Sequence, residues 1–273
     1  FDGKTRNKLI EMFQATPYRL CCTATPAPND LTEFANHAAF LGICTREEML
    51  AQFFVHDDEG WRMKGYAEQP FYKWLSSWCM MLKTPSNIGY EDDGYVLPPL
   101  QVHKHVVQID STPLAHAQGK LFVTDLEGIT GRSAARRISA SDRVKEAAAL
   151  INGSTKQWIV WCGLNDEGRE LHAALPQSLL VEGADPFDTK IDRIKAFLAG
   201  APILITKVKI AGFGLNLQQC HNVIFLGLND SYEQYYQAMR RCWRFGQQHP
   251  VNVHIITSDI EVPVVENVFR KEA

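Results

Sequence analysis

The sequence predicts an α/β fold in which a parallel sheet is flanked by helices. From about residue 155 onward, five short apolar runs alternate with helical patterns near 165–175, 187–199 and 231–244. The runs are rich in Val, Ile and Leu, as strands covered on both faces are: "QWIVWC", "SLLVEG", "PILIT", "NVIFLGL" and "VNVHIIT". This alternation indicates a doubly wound domain, because each strand is followed by a helix that can pack on the sheet.

Composition places few limits on function. The chain has 273 residues, of which 45% are hydrophobic, enough for one full domain and part of another. Its formal net charge is −3, so no overall basic field attracts nucleic acid. Any binding to nucleic acid must therefore come from local patches of positive charge.

Cysteine usage and hydropathy indicate a reducing, aqueous compartment. The seven cysteines include no C-x-x-C pair and are odd in number, which argues against a disulfide framework or a zinc ribbon. No apolar run reaches the length of a membrane span and no signal peptide precedes the fold. We therefore expect a soluble intracellular protein with no membrane partner.

The first hundred residues differ from the rest. Residues 1–30 predict a helix, a strand "YRLCCTA" and a turn "TPAPND", which together resemble the edge of a different α/β unit. Residues 31–100 are helical and aromatic in pattern, with acidic breaks, and close on "LPPL". We expect three parts: the end of one lobe in 1–30, a helical insertion and linker in 31–100, and the main domain in 101–273.

A row of arginines marks the C-terminal part of that domain. Ser231 and Gln234 have the spacing of a capping box, which predicts a helix over 231–244. On a helical wheel one side carries four polar residues within about 100°: Gln237, Arg240, Arg241 and Arg244. Taken alone, such a stripe is more often the solvated face of an amphipathic helix than a site.

Four segments together carry a resemblance. In order they are "CCTATPAPND" (21–30), "WIVWCGLNDEGREL" (158–171), "KIAGFGLNLQQCHNVIFLGL" (209–228) and "QAMRRCWRFGQ" (237–247). They resemble motifs III, IV, V and VI of superfamily-two helicases and translocases, most closely the Swi/Snf-like branch with its phage and bacterial members. The resemblance implies that 101–273 is the second of two RecA-like lobes, which clamp ATP between them.

The resemblance implies roles for the arginines. Gln237, Arg241 and Arg244 match the glutamine and the two arginines of motif VI, so Arg241 and Arg244 are the candidate catalytic residues and Gln237 a nucleotide-binding one. An arginine that stabilises the transferring phosphoryl group is worth about a thousandfold or more in turnover. Arg240 stands where the family usually has an acid, and both a phosphate contact and plain solvation are open for it.

The remaining candidates come from motifs III and V. Gly212 and Gly214 are expected at the nucleotide, where glycine lets backbone approach phosphate. Lys207 and Val208 replace the family's usual Ser-Thr, so lysine contacts would take the place of a hydroxyl contact. The residues that the resemblance assigns to nucleic acid are Thr23, Thr25, Lys207, Lys209 and Asn216.

The sequence lacks a G-x-x-x-x-G-K-[ST] phosphate loop and a D-E-x-H box. The resemblance therefore implies that an upstream RecA-like lobe of the same chain anchors ATP and Mg²⁺, and that the present segment alone does not hydrolyse ATP. The implied partners are that lobe and DNA, expected to be duplex and held through its backbone. The implied location is the cytoplasm or nucleoid, or the host cytoplasm for a phage protein.

Two other functions stay open from the residues alone. One is a non-catalytic, nucleic-acid-binding RecA-like module, which need not retain both Arg241 and Arg244. The other is a dinucleotide enzyme, which would need a third glycine after Gly212 and Gly214.

Three further patterns predict no site of their own. His103 and His105 alternate on one strand face, but no neighbouring Cys or acid completes a metal site, so we predict none. Basic residues between 132 and 145 predict either a solvated helix or a DNA contact. Trp158 and Trp161 are expected on opposite faces of a buried strand.

Overall fold

The chain is described by a computed structural model that covers residues 3–58, 60–109, 136–211, 214–229 and 231–271. It divides into two compact units, Phe1–Tyr90 and Glu91–Ala273. Residues 91–100 belong to the second unit, in which the rings of Tyr95 and Phe245 pack at a centroid distance of 4.9 Å. No helix among the described residues is long and apolar enough to cross a membrane.

The first unit is made of short helices and a hairpin. Its helices are α1 (Lys4–Phe13), α2 (Phe34–Leu41), α3 (Arg46–Phe53) and α4 (Glu68–Leu75), with 3₁₀ turns at Leu31–Glu33 and Pro85–Ile88. Strands β1 (Phe54–Asp57) and β2 (Gly60–Met63) form an antiparallel pair.

Sequence signals explain where these elements begin and pack. Helix α3 starts at a capping box, in which Thr45 Oγ1 accepts from the Glu48 amide and Glu48 Oε2 accepts from the Thr45 amide. Phe71 lies at the centre of the core, in edge contact with the rings of Phe34, Phe53 and Phe54. The aromatic residues of the insertion therefore form its own small core.

The predicted strand "YRLCCTA" is not formed. Residues 18–23 have no strand pairing, and the side chains of Tyr18 and Leu20 are 93% and 81% exposed. A strand needs hydrogen-bonded neighbours, and in the described part of this unit only β1 and β2 pair with each other. The apolar composition of the segment was a correct signal for β propensity, but propensity alone does not supply a sheet.

The second unit contains a six-stranded parallel sheet in the order β3-β8-β7-β4-β6-β5. The strands are β3 (Leu100–Val107), β4 (Trp158–Cys162), β5 (Ser178–Leu180), β6 (Ile203–Thr206), β7 (Asn222–Leu226) and β8 (Val251–Ser258). The five predicted strands are all present. The sixth, β3, pairs with β8 along its whole length, from Leu100 opposite Val251 to Val107 opposite Ser258.

Helices cover both faces of this sheet, as predicted. They are α5 (Ala140–Ile151), α6 (Asn165–Ala174), α7 (Phe187–Leu198), α8 (Val208–Ala211), α9 (Tyr232–Met239) and α10 (Val262–Arg270), with a 3₁₀ turn at Asp259–Glu261. Trp161 joins the core under α7, α9 and α10, whereas Trp158 joins the core under α5 and α6. The two tryptophans are therefore core residues on opposite faces, because side chains alternate along a strand.

Helix α9 is shorter than the predicted helix over 231–244. Ser231 does cap it, since its Oγ accepts from the Gln234 amide at 3.2 Å, but the helix ends at Met239. The next residues form turns, and Gly246 has a φ of +88°. Beyond the helix, the Arg241 carbonyl accepts from the Leu217 amide in a neighbouring loop, which holds this turn in place.

Candidate functional site

Two predicted motifs meet in the second unit. We call residues 214–220 the glycine loop, which follows α8, and residues 240–247 the arginine turn, which follows α9. The Leu217 amide donates to the Arg241 carbonyl at 3.0 Å, and the side chains of Leu217, Cys220 and Cys242 are fully buried in one core cluster. The two segments are therefore packed and hydrogen-bonded together, although the sequence separates them by a strand and a helix.

Arg241 is held by three hydrogen bonds. Its Nε donates to the Gln237 carbonyl and its Nη2 to Gln237 Oε1, both at 3.0 Å, while Nη1 donates to the Leu215 carbonyl at 3.4 Å. The predicted proximity of Gln237 and Arg241 is thus seen as a direct contact. Arg241 connects helix α9 to the glycine loop, and its planar fork fixes the angle between them.

Arg244 makes a single side-chain contact among the described residues. Its Nη1 donates to Asn216 Oδ1, and the contact lies at the surface. A guanidinium has five N–H donors, so most of those on Arg244 remain available to an anion. Asn216, predicted to contact nucleic acid, is thereby placed next to the arginine predicted to contact nucleotide.

The two guanidiniums carry positive charge that nearby carboxylates do not balance. Burial, and then the charge of Arg244, lower the pKa of Arg241 from its usual value, although an arginine stays protonated at neutral pH. Neither side chain forms an ion pair with a carboxylate in the described ranges. Two adjacent cations without carboxylate partners attract anions.

The glycine loop suits close approach by a ligand. Gly214 has a φ of +77°, which side-chain-bearing residues rarely adopt, and nothing lies within 4 Å of the position a β-carbon would take. The backbone there is open to solvent on that side. Gly212, the other predicted glycine, lies outside the described residues.

Arg240 points elsewhere. Its guanidinium carbon lies 5.0 Å from the centre of the Trp243 ring and 5.9 Å from that of Tyr236. The Trp243 indole in turn donates to the Pro98 carbonyl at 2.7 Å. Arg240 therefore stacks on aromatic rings, a placement that sequence reasoning did not consider.

The predicted lysines lie at the carboxyl end of β6. Lys207 lines a small cavity together with Asn165, Glu182 and Thr206, and Lys209 is exposed in α8. Carboxyl ends of parallel strands are the usual position of ligand sites in doubly wound sheets. Both lysines precede the glycine loop in the chain, and no described contact joins either of them to it.

The predicted threonines belong to the first unit. Thr23 is exposed, and its Oγ1 accepts from the Thr25 amide at 3.1 Å. Thr25 is buried, and its hydroxyl has no hydrogen-bond partner among the described residues. Their assignment to nucleic acid stays a prediction.

The histidines of β3 form a cluster that the local sequence does not show. His103 stacks on His254 at 4.7 Å, and His105 lies 3.0 Å from His254 through Nε2 and 3.2 Å from Glu146 Oε1 through Nδ1. Burial, followed by the neighbouring His103 and His105, lowers the pKa of His254 to about 4. In the described ranges no three His, Cys, Asp or Glu side chains are arranged to hold a metal ion.

Two of the basic residues before and within α5 are structural, whereas Arg137 and Lys145 are exposed, as a solvated helix face predicts. Arg143 is fully buried and donates from Nη2 to Glu167 Oε1 at 2.6 Å, while Arg136 Nε lies 3.5 Å from Glu261 Oε1. Neither a solvated helix nor a DNA contact, the two expectations from sequence, describes Arg143. Arg132 lies outside the described residues.

Sequence reasoning missed one buried residue at the site. Gln247, the last residue of the arginine turn, is only 7% exposed and makes five hydrogen bonds with backbone groups. Gln247 ends the segment that resembles motif VI, but that resemblance gave it no role, because its partners are backbone atoms rather than residue types.

Comparison with known proteins agrees with this arrangement. Residues 142–246 match the family model described as the helicase conserved C-terminal domain. That range contains β4, the glycine loop and most of the arginine turn. A search among curated proteins found no significant match.

Several solved structures are similar to this chain at low identity. The C-terminal part of the Fun30 ATPase domain is 14% identical, with 63% of this chain and 90% of that chain covered and a TM-score of 0.46. The C-terminal domain of the DEAD-box protein Dbp5 is 13% identical, covering 65% and 86%, with a TM-score of 0.45. A DEAD box protein from the hyperthermophile Methanococcus jannaschii is 19% identical, covering 47% and 36%, with a TM-score of 0.42.

The fold assignment therefore rests on the sheet itself and on the family match. A six-stranded parallel sheet with helices on both faces is the RecA-like α/β architecture that the sequence predicts. The family match covers four of the six strands of that sheet, β4, β5, β6 and β7, and the segments that follow them. Residues 142–246 of the second unit are therefore similar to the helicase conserved C-terminal domain.

Proposed function

We propose that this chain is the C-terminal motor half of an ATP-dependent DNA translocase or helicase of the Swi/Snf-like type. One observation carries the proposal: Arg241 and Arg244, both in the arginine turn, hydrogen-bond to the glycine loop and have no carboxylate partner among the described residues. Such a pair suits the triphosphate of a nucleotide held by another lobe.

The described residues fit phosphate better than they fit a metal ion. Arg244 offers N–H donors, and the open backbone at Gly214 leaves room for an anion. When ATP is bound, its γ-phosphoryl group becomes the electrophile of the reaction. Because no described group of acids is arranged for a metal, we assign Mg²⁺ and the phosphate loop to the first lobe.

The contacts suggest different roles for the two arginines. Arg244, with one protein contact, would stabilise charge on the transferring phosphoryl group without a change of its own protonation. Arg241, with three, would hold the glycine loop against helix α9 and contribute charge from a fixed position. Gln237 orients Arg241 through its side-chain oxygen.

DNA binding would use backbone phosphates. Lys207 and Lys209 would supply positive charge at the carboxyl end of β6, and Asn216 links the glycine loop to Arg244. Thr23 and Thr25 would contribute from the first unit. Such contacts give binding that is independent of sequence and falls steeply with salt.

The test compares two neighbouring arginines in the full-length protein that supplies the phosphate loop. Arg244→Ala should lower DNA-stimulated ATP hydrolysis by about a thousandfold, with affinity for duplex DNA almost unchanged. Arg240→Ala is the matched control, since this arginine stacks on Trp243 and should leave turnover close to wild type.

The outcomes separate the proposal from its rival. Equal turnover in wild type and Arg244→Ala would remove the assignment of an arginine finger. DNA binding without any hydrolysis in the wild-type protein would favour the alternative, a non-catalytic nucleic-acid-binding module. The presence of both Arg241 and Arg244 supports the motor, because a module that only binds does not require two arginines at this position.

A further inference from the structure

Gln247 closes the arginine turn and lies against the glycine loop. It follows Gly246, whose φ of +88° reverses the chain direction, and the two residues next to Gln247 are exposed while its own side chain is buried. A buried amide is costly unless it is hydrogen-bonded, so its partners indicate why it lies inside.

The amide nitrogen of Gln247 connects three backbone carbonyls. Nε2 donates to the carbonyl of Gln218 at 2.9 Å, of Cys220 at 3.2 Å and of Cys242 at 3.1 Å. The first two belong to the glycine loop and the third to the arginine turn. One side chain therefore binds both segments at once.

The amide oxygen of Gln247 fixes the exit of the turn. Oε1 accepts from the Gln248 amide at 3.0 Å and from the His249 amide at 2.9 Å. Both polar atoms of the side chain therefore have partners. The three carbonyls need a donor group beside them, and the two amides need an acceptor. Glutamine meets this requirement, whereas an ionised glutamate would place a negative oxygen against three carbonyls.

These bonds lie next to the residues that carry the proposed chemistry. Cys242 stands between Arg241 and Arg244 in the turn, and Gln218 stands two residues after Asn216, which accepts from Arg244. The Leu217 amide, which donates to Arg241, is enclosed between them. A shift of the loop against the turn would move Asn216 and the Leu215 carbonyl away from the two guanidiniums.

We infer that Gln247 is a positioning residue, whose amide clamps the glycine loop to the arginine turn and so aims Arg244 at the phosphates. The inference rests on the proposed function for its effect on catalysis, but the clamp itself is a property of this chain alone. The two parts can therefore be tested separately.

The clamp is tested without nucleotide by amide hydrogen exchange on this chain. In Gln247→Glu the Leu217, Gln248 and His249 amides should exchange at least about tenfold faster, since weakening a bond by about 1.4 kcal/mol changes its opening equilibrium by that factor. Amides of strand β4 should be unchanged, which also shows that the variant folds. Gln248→Glu makes the same charge change at an exposed neighbour and should leave all of these rates unaltered.

Catalysis is tested in the full-length protein. Gln247→Glu should lower kcat by about a hundredfold, the scale of a small misplacement of a catalytic group, with KM for ATP and affinity for DNA largely unchanged. A glutamate buried at this position has its pKa raised, and its protonated form again offers an O–H donor. Turnover of Gln247→Glu should therefore recover towards wild type as the pH is lowered, in a range where wild type is flat.

A second variant covers the case in which Gln247→Glu fails to fold. Gln247→Met keeps the volume without polar atoms, and it should show the same loss of kcat with no recovery at low pH. Faster exchange at Leu217 with unchanged kcat would overturn the positioning role, and unchanged exchange in both variants would overturn the clamp. If Arg244→Ala also leaves turnover unchanged, the proposed function fails instead, and the exchange result still decides the clamp.

Discussion

Two pairs of arginines in the second unit have opposite surroundings. Arg136 and Arg143 lie against Glu261 and Glu167, and the Arg143–Glu167 pair is completely buried. Arg241 and Arg244 bond only to carbonyl and amide oxygens among the described residues. The first pair is neutralised inside the protein, whereas the second keeps its charge for something outside it.

The difference shows what turns a basic segment into a candidate site. Both pairs occur in short arginine-rich stretches, "RRISASDR" and "RRCWR", and neither stretch alone says which is functional. The carboxylate of Glu167 also accepts from the amides of Gly163 and Leu164, so both of its oxygens have donors inside the fold. A guanidinium paired with such a carboxylate is occupied within the protein, whereas one without a carboxylate partner can bind an anion.

The largest effect should come from breaking the buried pair. Arg143→Met leaves Glu167 buried without its partner and should lower the free energy of unfolding of the second unit by about 3–5 kcal/mol. Native-state hydrogen exchange of the β4 amides measures this for the second unit alone. The double variant Arg143→Met with Glu167→Leu should recover most of the loss. If Arg143→Met lowers the free energy of unfolding by less than about 1 kcal/mol, the Arg143–Glu167 pair does not stabilise the fold as this comparison requires.

A smaller effect should come from crowding the same arginine. Gly227 has a φ of +72°, and a β-carbon there would overlap Nη1 of Arg143. Gly227→Ala should therefore cost about 2–4 kcal/mol, from overpacking and backbone strain together. Gly153→Ala is the matched control, because Gly153 has a φ of +81° with open space around it and should show only the strain of about 1–2 kcal/mol. Equal costs at the two glycines would mean that Arg143 is not rigidly held.

Arg240 provides an intermediate case. Arg240→Ala removes a guanidinium stacked on Trp243 and Tyr236, and should lower the free energy of unfolding by about 0.5–1 kcal/mol. Native-state hydrogen exchange of the β4 amides measures this change as well. Arg240→Lys should retain part of the stabilisation, because it keeps the positive charge. A thousandfold loss of turnover in Arg240→Ala would instead place this residue with the second pair.

The smallest effect on stability is expected at Arg244. Arg244→Ala should change the free energy of unfolding by no more than about 0.5 kcal/mol, because the side chain has one surface contact. Combined with a large loss of turnover, that result would separate function from stability at this position. A stability loss of about 2 kcal/mol or more would show that Arg244 belongs with the buried pair.

The strands at the centre of the sheet were predictable because a strand buried on both faces is a continuous run of apolar residues in the sequence. Strand β4 is buried along all five residues and reads as the continuous apolar run "WIVWC". Strand β3 was harder to predict, since most of its side chains are exposed and its sequence "LQVHKHVV" mixes His and Lys with Val. Its place in the sheet depends on eight residues of pairing with β8, which lies far away in the sequence.

The motif resemblance selected residues that lie together in the structure, but it did not give their geometry. Arg241 contacts Gln237 and Arg244 contacts Asn216, while the roles of these four residues stay predictions. The helical wheel placed the arginines on one helix face, which is wrong beyond Met239, since helix α9 ends there and the arginines lie on turns. The bonds that fix those turns run from Gln247 and Leu217 to backbone carbonyls, and no side-chain pattern encodes them.

The sequence by itself determined the α/β class, the core strands and the segments that resemble helicase motifs. These follow from apolar periodicity and from residues close together in the chain. Only the tertiary structure decided which arginines are neutralised, since Arg143 meets Glu167, 24 residues away, and Arg136 meets Glu261, which is much farther along the chain. Charge is balanced by neighbours in space, and those neighbours are fixed only when the whole sheet and its helices have packed.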